Sequence, residues 1–260
     1  MNENLEQKNK EYWRGRAEGY SEVNKEELAG VQRNNWTSFL SAQIMDYFAG
    51  RDTSSIKVLD VGAGPGFISI ILAEAGFSVT AIDFAEAMLD AAKKNAGALA
   101  DKIKFVQGNA MKLPFDDESF DVVFSRNLMW NLPSPEDAYR EWIRVLKKDG
   151  MLLTFDANWY AYLVDEEKQV EYEQDRLNVA AADVGDYNIG ENFDQMEAIA
   201  YEMPSTKRAR PKWDVDFINS LNSGRVETMS DVGAILYSDK EKINYKSTPM
   251  FMVKFIKDTN

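Results

Sequence analysis

The stretch Val58-Leu59-Asp60-Val61-Gly62-Ala63-Gly64-Pro65-Gly66-Phe67 ends an apolar run in an acid and then sets three glycines ahead of a helical pattern. Glycines let a backbone turn sharply and approach a ligand, and the first turn of a helix offers free N–H groups, so this stretch suits the holding of a nucleotide. A dinucleotide fingerprint needs Gly-x-Gly-x-x-Gly, whereas here the third glycine falls one residue early at Gly66 and Phe67 takes its place. A phosphate-binding Walker loop is excluded as well, because no Gly-Lys-Ser/Thr follows. The next apolar run, Val79-Thr80-Ala81-Ile82, closes on Asp83. A carboxylate there can accept both hydroxyls of a ribose; the competing reading is a cap for a helix beginning near Ala85.

The residue types missing from the chain narrow its chemistry further. There are no cysteines and no histidines, which removes disulfides, thiolate and imidazole metal sites, and Ser-His-Asp triads, so no metal is expected. Carboxylates, Tyr and Lys remain as proton-transfer groups. With 30 Lys+Arg against 43 Asp+Glu, the net charge of −13 opposes a phosphate backbone, so nucleic acid is not an expected partner. The first residues lack the apolar stretch of a secretory signal and no later run approaches a bilayer span, so the expectation is a soluble cytoplasmic protein without a membrane partner.

Positioning the glycine loop and Asp83 requires a sheet. Between Ile56 and Asp156 short apolar runs alternate with longer amphipathic ones, the pattern of βαβ units in an α/β fold. Strands are predicted at Lys57–Val61, Ser78–Ile82, Ile103–Gln107, Asp121–Ser125 and Met151–Phe155. Helices are predicted at Phe67–Ala75, Ala85–Ala98 and Pro135–Leu146, the last with Ser134 as cap and Pro135 at its first position. Arg225–Met229 and Met250–Ile256 complete seven strands, the latter expected to pair antiparallel at the sheet edge. Residues 1–50 read as an aromatic helical lid, 51–157 with 213–260 as the core, and 158–212 as a helical insertion shaping a pocket.

These motifs resemble the class I S-adenosylmethionine-dependent methyltransferases, in the small-molecule branch labelled methyltransferase domain type 11 or 25. The resemblance covers most of residues 56–156. It rests on Asp-x-Gly-x-Gly-x-Gly at Asp60–Gly66, the acid Asp83, Gly108-Asn109-Ala110-Met111-Lys112-Leu113-Pro114-Phe115, Ser119-Phe120-Asp121-Val122-Val123, and Arg144-Val145-Leu146-Lys147-Lys148-Asp149-Gly150. It implies a Rossmann-like, doubly wound, seven-stranded sheet, mostly parallel with an antiparallel edge strand, under a helical lid. It also implies that Asp60, Gly62, Gly64 and Gly66 line the methionine part of the cofactor. Asp83 would then hold the ribose, Phe84 pack on adenine, and Asn109 and Ala110 bracket the adenine edge. Tyr20 would close over the methionine end, with Met88, Arg126 and Asn127 completing the cofactor set. Asn109 stands where the family usually has Asp, and still offers a carbonyl acceptor.

Methyl transfer needs alignment more than acid–base chemistry, so it can run without histidine. Relatives often carry His near position 131, where this chain has Asn131. The segment with Trp130 and Asn131 would face a small-molecule acceptor whose attacking atom, N, O or C, is left open. So would the fifth strand's end, with Asp156, Asn158 and Trp159. Asp156 and Asn158 could equally cap and turn the chain while Trp159 anchors it. The aromatics and carboxylates of the insertion make a cationic or amine-bearing acceptor conceivable, or form a solvated surface, and the basic run Lys207–Arg210 would touch an acidic acceptor or nothing. The alternatives are a non-catalytic S-adenosylmethionine-binding protein and a nicotinamide-dependent oxidoreductase. The sequence does not indicate an oligomeric state.

Overall fold

Five short apolar runs become the parallel part of one seven-stranded sheet: β1 (Lys57–Val61), β2 (Ser78–Asp83), β3 (Ile103–Gln107), β4 (Phe120–Arg126) and β5 (Leu146–Asp156). The structure is a computed structural model and describes residues 2–189 and 193–259. Strand order is β3-β2-β1-β4-β5-β7-β6, with β7 (Phe251–Lys257) antiparallel to both its neighbours, β5 and β6 (Gly224–Met229). The order reverses between β1 and β4, which opens a crevice beyond the carboxyl ends of those strands.

The run Met250–Ile256, expected at the sheet edge, lies inside instead, between β5 and β6, and β6 takes the edge. Both faces of β7 are apolar and covered: Phe251, Val253 and Phe255 pack on one side, Met252 and Ile256 on the other. A strand covered on two faces belongs in the interior of a sheet.

Alternate strand residues feed two apolar layers. Val58, Val79 and Phe124 enter one, while Leu59, Ile82 and Val123 enter the other. Helices α3 (Phe67–Glu74), α4 (Glu86–Ala96) and α5 (Pro135–Val145) connect the strands. Pro135 opens α5 as expected, but the Ser134 hydroxyl bonds the Asp137 carboxylate (2.6 Å) rather than capping the helix backbone.

Of residues 1–50, α1 (Asn2–Ala29) runs over the crevice, whereas α2 (Val31–Tyr47) forms a layer of the core. Trp36, Leu40 and Ile44 of α2 are buried, and Trp36 stands edge-on to Phe155 with centroids 5.0 Å apart. The buried face of α1 differs in kind, because Asn9, Ser21, Asn24 and Glu27 share it with Leu5 and Ala17. After β5 come α6 (Glu166–Ala181), α7 (Phe193–Glu202) and α8 (Lys212–Ser220); residues 190–192 of the expected insertion lie outside the described residues. Between β6 and β7 lie α9 (Gly233–Leu236) and α10 (Asp239–Asn244). Among the described residues no helix is long and apolar enough to cross a membrane.

Gly66 joins the loop to α3 with φ of +93°, and a Cβ there would stand 2.9 Å from Ala92 Cβ on α4. Gly66→Ala is therefore expected to cost roughly 2 kcal/mol or more, from left-handed backbone strain and the clash together. A urea denaturation midpoint indistinguishable from that of the parent chain would contradict this.

Candidate active site

The crevice begins at the glycine loop, which β2 holds in place. Gly62 N–H and Ala63 N–H donate to the Ile82 carbonyl (2.8 and 3.0 Å). The Asp83 carboxylate accepts from Gly64 N–H with one oxygen and from Ala85 N–H with the other, both at 2.9 Å. Helix α4 begins at Glu86 with Ala85 in the capping position, so Asp83 tethers the loop instead of capping the helix. Each of its oxygens keeps a second lone pair.

Asp83 lines a cleft of about 440 Å³ together with Gly62, Phe84, Asn109 and Ala110. The Asn109 carbonyl oxygen accepts from Met111 N–H, and its amide donates to Glu6 of α1, each at 2.8 Å. The residue expected at the adenine edge thus also fastens α1 to the cleft. Asn9 and Asn131 line the same cleft, and the Asn9 amide donates to the Asn131 carbonyl (2.9 Å). The side-chain oxygens of both are buried without a partner among the described residues. A ligand bringing N–H or O–H donors would satisfy them.

Gly62 also borders a second space, walled by Tyr20, Asp60, Gly64 and Arg126. The Asp60 carboxylate accepts from the Ser69 hydroxyl (2.6 Å). Burial pushes both Asp60 and Asp83 up to about 6, opposed at Asp60 by the Ser69 hydrogen bond and the Arg126 charge, and at Asp83 by the N–H groups of Ala85 and Gly64. The Arg126 guanidinium makes two 2.9 Å bonds to Glu27 of α1, and lies 4.8 Å from the Phe67 ring centroid and 5.2 Å from that of Trp36. Its charge is therefore already matched within the protein. Asn24 completes the contact of α1: its side-chain oxygen accepts from Phe67 N–H at the start of α3 (3.2 Å), and its amide donates to Glu27 (3.2 Å). Three residues expected at the cofactor, Met88, Gly66 and Asn127, line neither space. Met88 packs against Ala17 and Ala85, and Gly66 is spent on the turn into α3.

Tyr20 and Arg126 in turn border a third cavity, of about 890 Å³, with Asn127, Trp159, Tyr237 and Tyr245 among its walls. Asn127 adopts a positive φ of 54° and is held by its N–H to the Phe155 carbonyl (2.8 Å). Of the five acceptor-side candidates, Trp159 alone reaches this cavity; Asn131 lines the first cleft, while Trp130 and Asn158 line a separate small pocket.

Asp156, expected to face an acceptor, is enclosed instead. It accepts from Trp130 N–H, Ala157 N–H, the Trp159 indole N–H and Arg210, at 2.7–2.9 Å. With its lone pairs filled, it orients Trp159 and is not free to take a proton. Arg210 also binds Asp214 through three contacts of 2.9–3.1 Å, and Asp214 accepts from the Tyr139 hydroxyl (2.6 Å). Of the basic run, Arg210 is thus internal, while the half-buried Arg208 pairs with Glu136 (2.5 Å) over the Trp213 ring and Lys207 stays exposed.

The glycine loop and Asp83 announced themselves by spacing, but Glu27, Asn24, Arg210, Tyr237 and Tyr245 did not. The only available signal for the first two was that polar residues fall at helical spacing on one face of α1.

Residues 59–154 match the family model described as a methyltransferase domain. The chain is 36% identical over 140 residues to a ubiquinone/menaquinone biosynthesis C-methyltransferase of Roseobacter denitrificans, covering 52% of this chain and 54% of that one. It is 38% identical over 97 residues to a demethylmenaquinone methyltransferase of Clavibacter sepedonicus, covering 37% of this chain and 39% of the other. The matches thus span about half or less of these curated relatives. Among solved structures, a SAM dependent methyltransferase from Aquifex aeolicus superposes with a TM-score of 0.53 at 19% identity, covering 91% of this chain and 97% of that one.

Proposed function

We propose, from the match of residues 59–154 to the methyltransferase-domain family model, that this chain transfers a methyl group from S-adenosylmethionine to a small-molecule acceptor. The observation that carries this reading is that three neighbouring spaces at the carboxyl end of the sheet share wall residues. Gly62 is common to the first two, and Tyr20 and Arg126 are common to the second and third. A ligand with a nucleoside at one end and an amino acid at the other fits the first two in succession and points toward the third.

In this reading the lone pairs of Asp83 take the ribose hydroxyls, Phe84 packs on the base, and Asn109 and Ala110 border its edge. Asn9 and Asn131 offer their unpartnered oxygens to donors there. Asp60 pairs with the amino group of the methionine part, and Tyr20 closes that end. The bound cofactor supplies an activated methyl on a sulfonium, so the reaction is an in-line displacement and the protein's work is alignment and exclusion of water. Burial raises Tyr20, Tyr237 and Tyr245 above the ordinary tyrosine value, which keeps them neutral donors. Carboxylates are left to take any proton.

Calorimetric titration with S-adenosylhomocysteine, and separately with NAD, tests the reading; binding of NAD alone would sink it. The dependence on pH has a definite sign. Asp83 and Asp60 titrate near 6 in the free protein, and the ligand calls for their ionised forms. S-adenosylhomocysteine affinity should therefore be flat above pH 7 and fall below pH 6, approaching tenfold per pH unit for one proton displaced. Equal affinity at pH 5 and pH 8 would remove both carboxylates from the binding site.

A further inference from the structure

The third cavity has a chemistry of its own. Trp159, Tyr237 and Tyr187 surround Tyr245, with ring centroids 5.0, 5.6 and 6.1 Å from it, and Tyr20 adds a further ring to the wall. Three carboxylates, Glu26, Glu27 and Glu241, line the same space. Two cations do so too, but Glu27 already neutralises Arg126, which leaves Glu26 and Glu241 against Arg16. One oxygen of Glu241 accepts from Gln32 (2.9 Å) and from the Ser238 backbone and hydroxyl (2.7 Å each). Its other oxygen makes no hydrogen bond among the described residues.

Two further oxygens in the wall are buried and unpartnered among the described residues, the Tyr237 hydroxyl and the Asn127 side-chain oxygen, and Tyr237 is only 7% exposed. Aromatic faces attract a cation, carboxylates pair with it, and unpartnered acceptors call for its N–H donors. A neutral planar acceptor would satisfy the rings but neither the carboxylates nor the buried oxygens. The net charge of −13 draws cations toward the protein as a whole.

We infer that the cavity holds an aliphatic amine, so that nitrogen is the atom methylated. This rests on the methyl-transfer reading above. The amine enters as an ammonium ion and gives a proton to the Glu241 carboxylate. Its freed lone pair bonds to the methyl carbon, and the carbon–sulfur bond breaks with its electrons staying on sulfur. Positive charge passes from sulfur to nitrogen, so the product remains a cation among the same rings.

The test uses the full chain saturated with S-adenosylhomocysteine and titrates it with choline, as a methylated-ammonium probe, and with its uncharged carbon isostere 3,3-dimethylbutan-1-ol. Choline should bind at least tenfold more tightly. Glu241→Gln, which retains a side chain able to cap α10, and Tyr245→Leu should each weaken choline binding about five- to tenfold while leaving S-adenosylhomocysteine affinity within twofold. Tyr237→Phe keeps the ring and the packing, and because choline has no N–H to give the hydroxyl it should leave choline binding within twofold. Labelled methyl offered with aliphatic amines, phenols and hydroquinones should appear on the amines. Equal binding of the uncharged isostere, or label on phenols and hydroquinones alone, overturns the amine. Failure of S-adenosylhomocysteine to bind overturns the methyl-transfer reading instead, and choline titrated into the ligand-free chain then reads the cation site separately.

Discussion

Arg210→Met is expected to destabilise the fold by about 3–5 kcal/mol, the cost of leaving buried carboxylates without their cation. Arg210 sits between Asp156 and Asp214, and all three side chains are 1% exposed or less. Methionine preserves much of the volume but supplies none of the donors. Burial already raises the Asp156 carboxyl despite the Arg210 charge beside it, so removal of that charge raises it further. A group whose folded value is raised costs stability when it must ionise, so the deficit should be full at pH 7–8 and narrow as the pH falls and the carboxylates take up protons. Urea denaturation at pH 8 and pH 5 measures this. A variant that unfolds with the parent midpoint at pH 8 would show that the network carries no such weight.

Asp83→Ala should lower S-adenosylhomocysteine affinity about 100-fold, or about 3 kcal/mol. On the proposed reading it removes two charge-assisted hydrogen bonds to the ribose, together with the observed anchor on Gly64 that shapes the loop. Calorimetry with the folded variant, verified by circular dichroism, gives the number. A loss of threefold or less would mean that Asp83 serves the loop and not the ligand.

How much of this was readable in advance follows from the range of each interaction. The five parallel strands were legible because β-branched runs bounded by turns are local, and β1 and β3 fall where their residues placed them. The position of Asp83 at a strand end beside the glycine loop was legible because the two lie close in sequence. The pairing of Glu27 with Arg126 was not, since the residues are 99 positions apart and Glu27 belongs to no motif. Asp156 misled for a related reason: a carboxylate at a strand end looks available until Arg210, 54 positions later, is seen to fill it. Helix α1 read as an aromatic lid because Tyr12, Trp13 and Tyr20 stand out in its composition. The side chains that hydrogen-bond to the crevice are its polar ones, and hydrophobic periodicity does not report polar contacts. The segment between β6 and β7 gave no signal that it would bring Tyr237, Glu241 and Tyr245 to the site.

That polar face has a consequence for how ligands could reach the crevice. Asn9, Ser21, Asn24 and Glu27 grip the sheet side through hydrogen bonds, which water can replace one for one when the helix lifts. Beside these polar clasps the same stretch seats Trp13, Ala17 and Tyr20 against Met88 and Ala85, so its detachment would bare apolar surface as well, carry a measurable heat-capacity increment, and give α1 amides faster hydrogen exchange than those of β1 or β4. The helix can thus act as a latch with polar clasps over an apolar seat, and a ligand bound beneath it would be recorded as slowed exchange along its length.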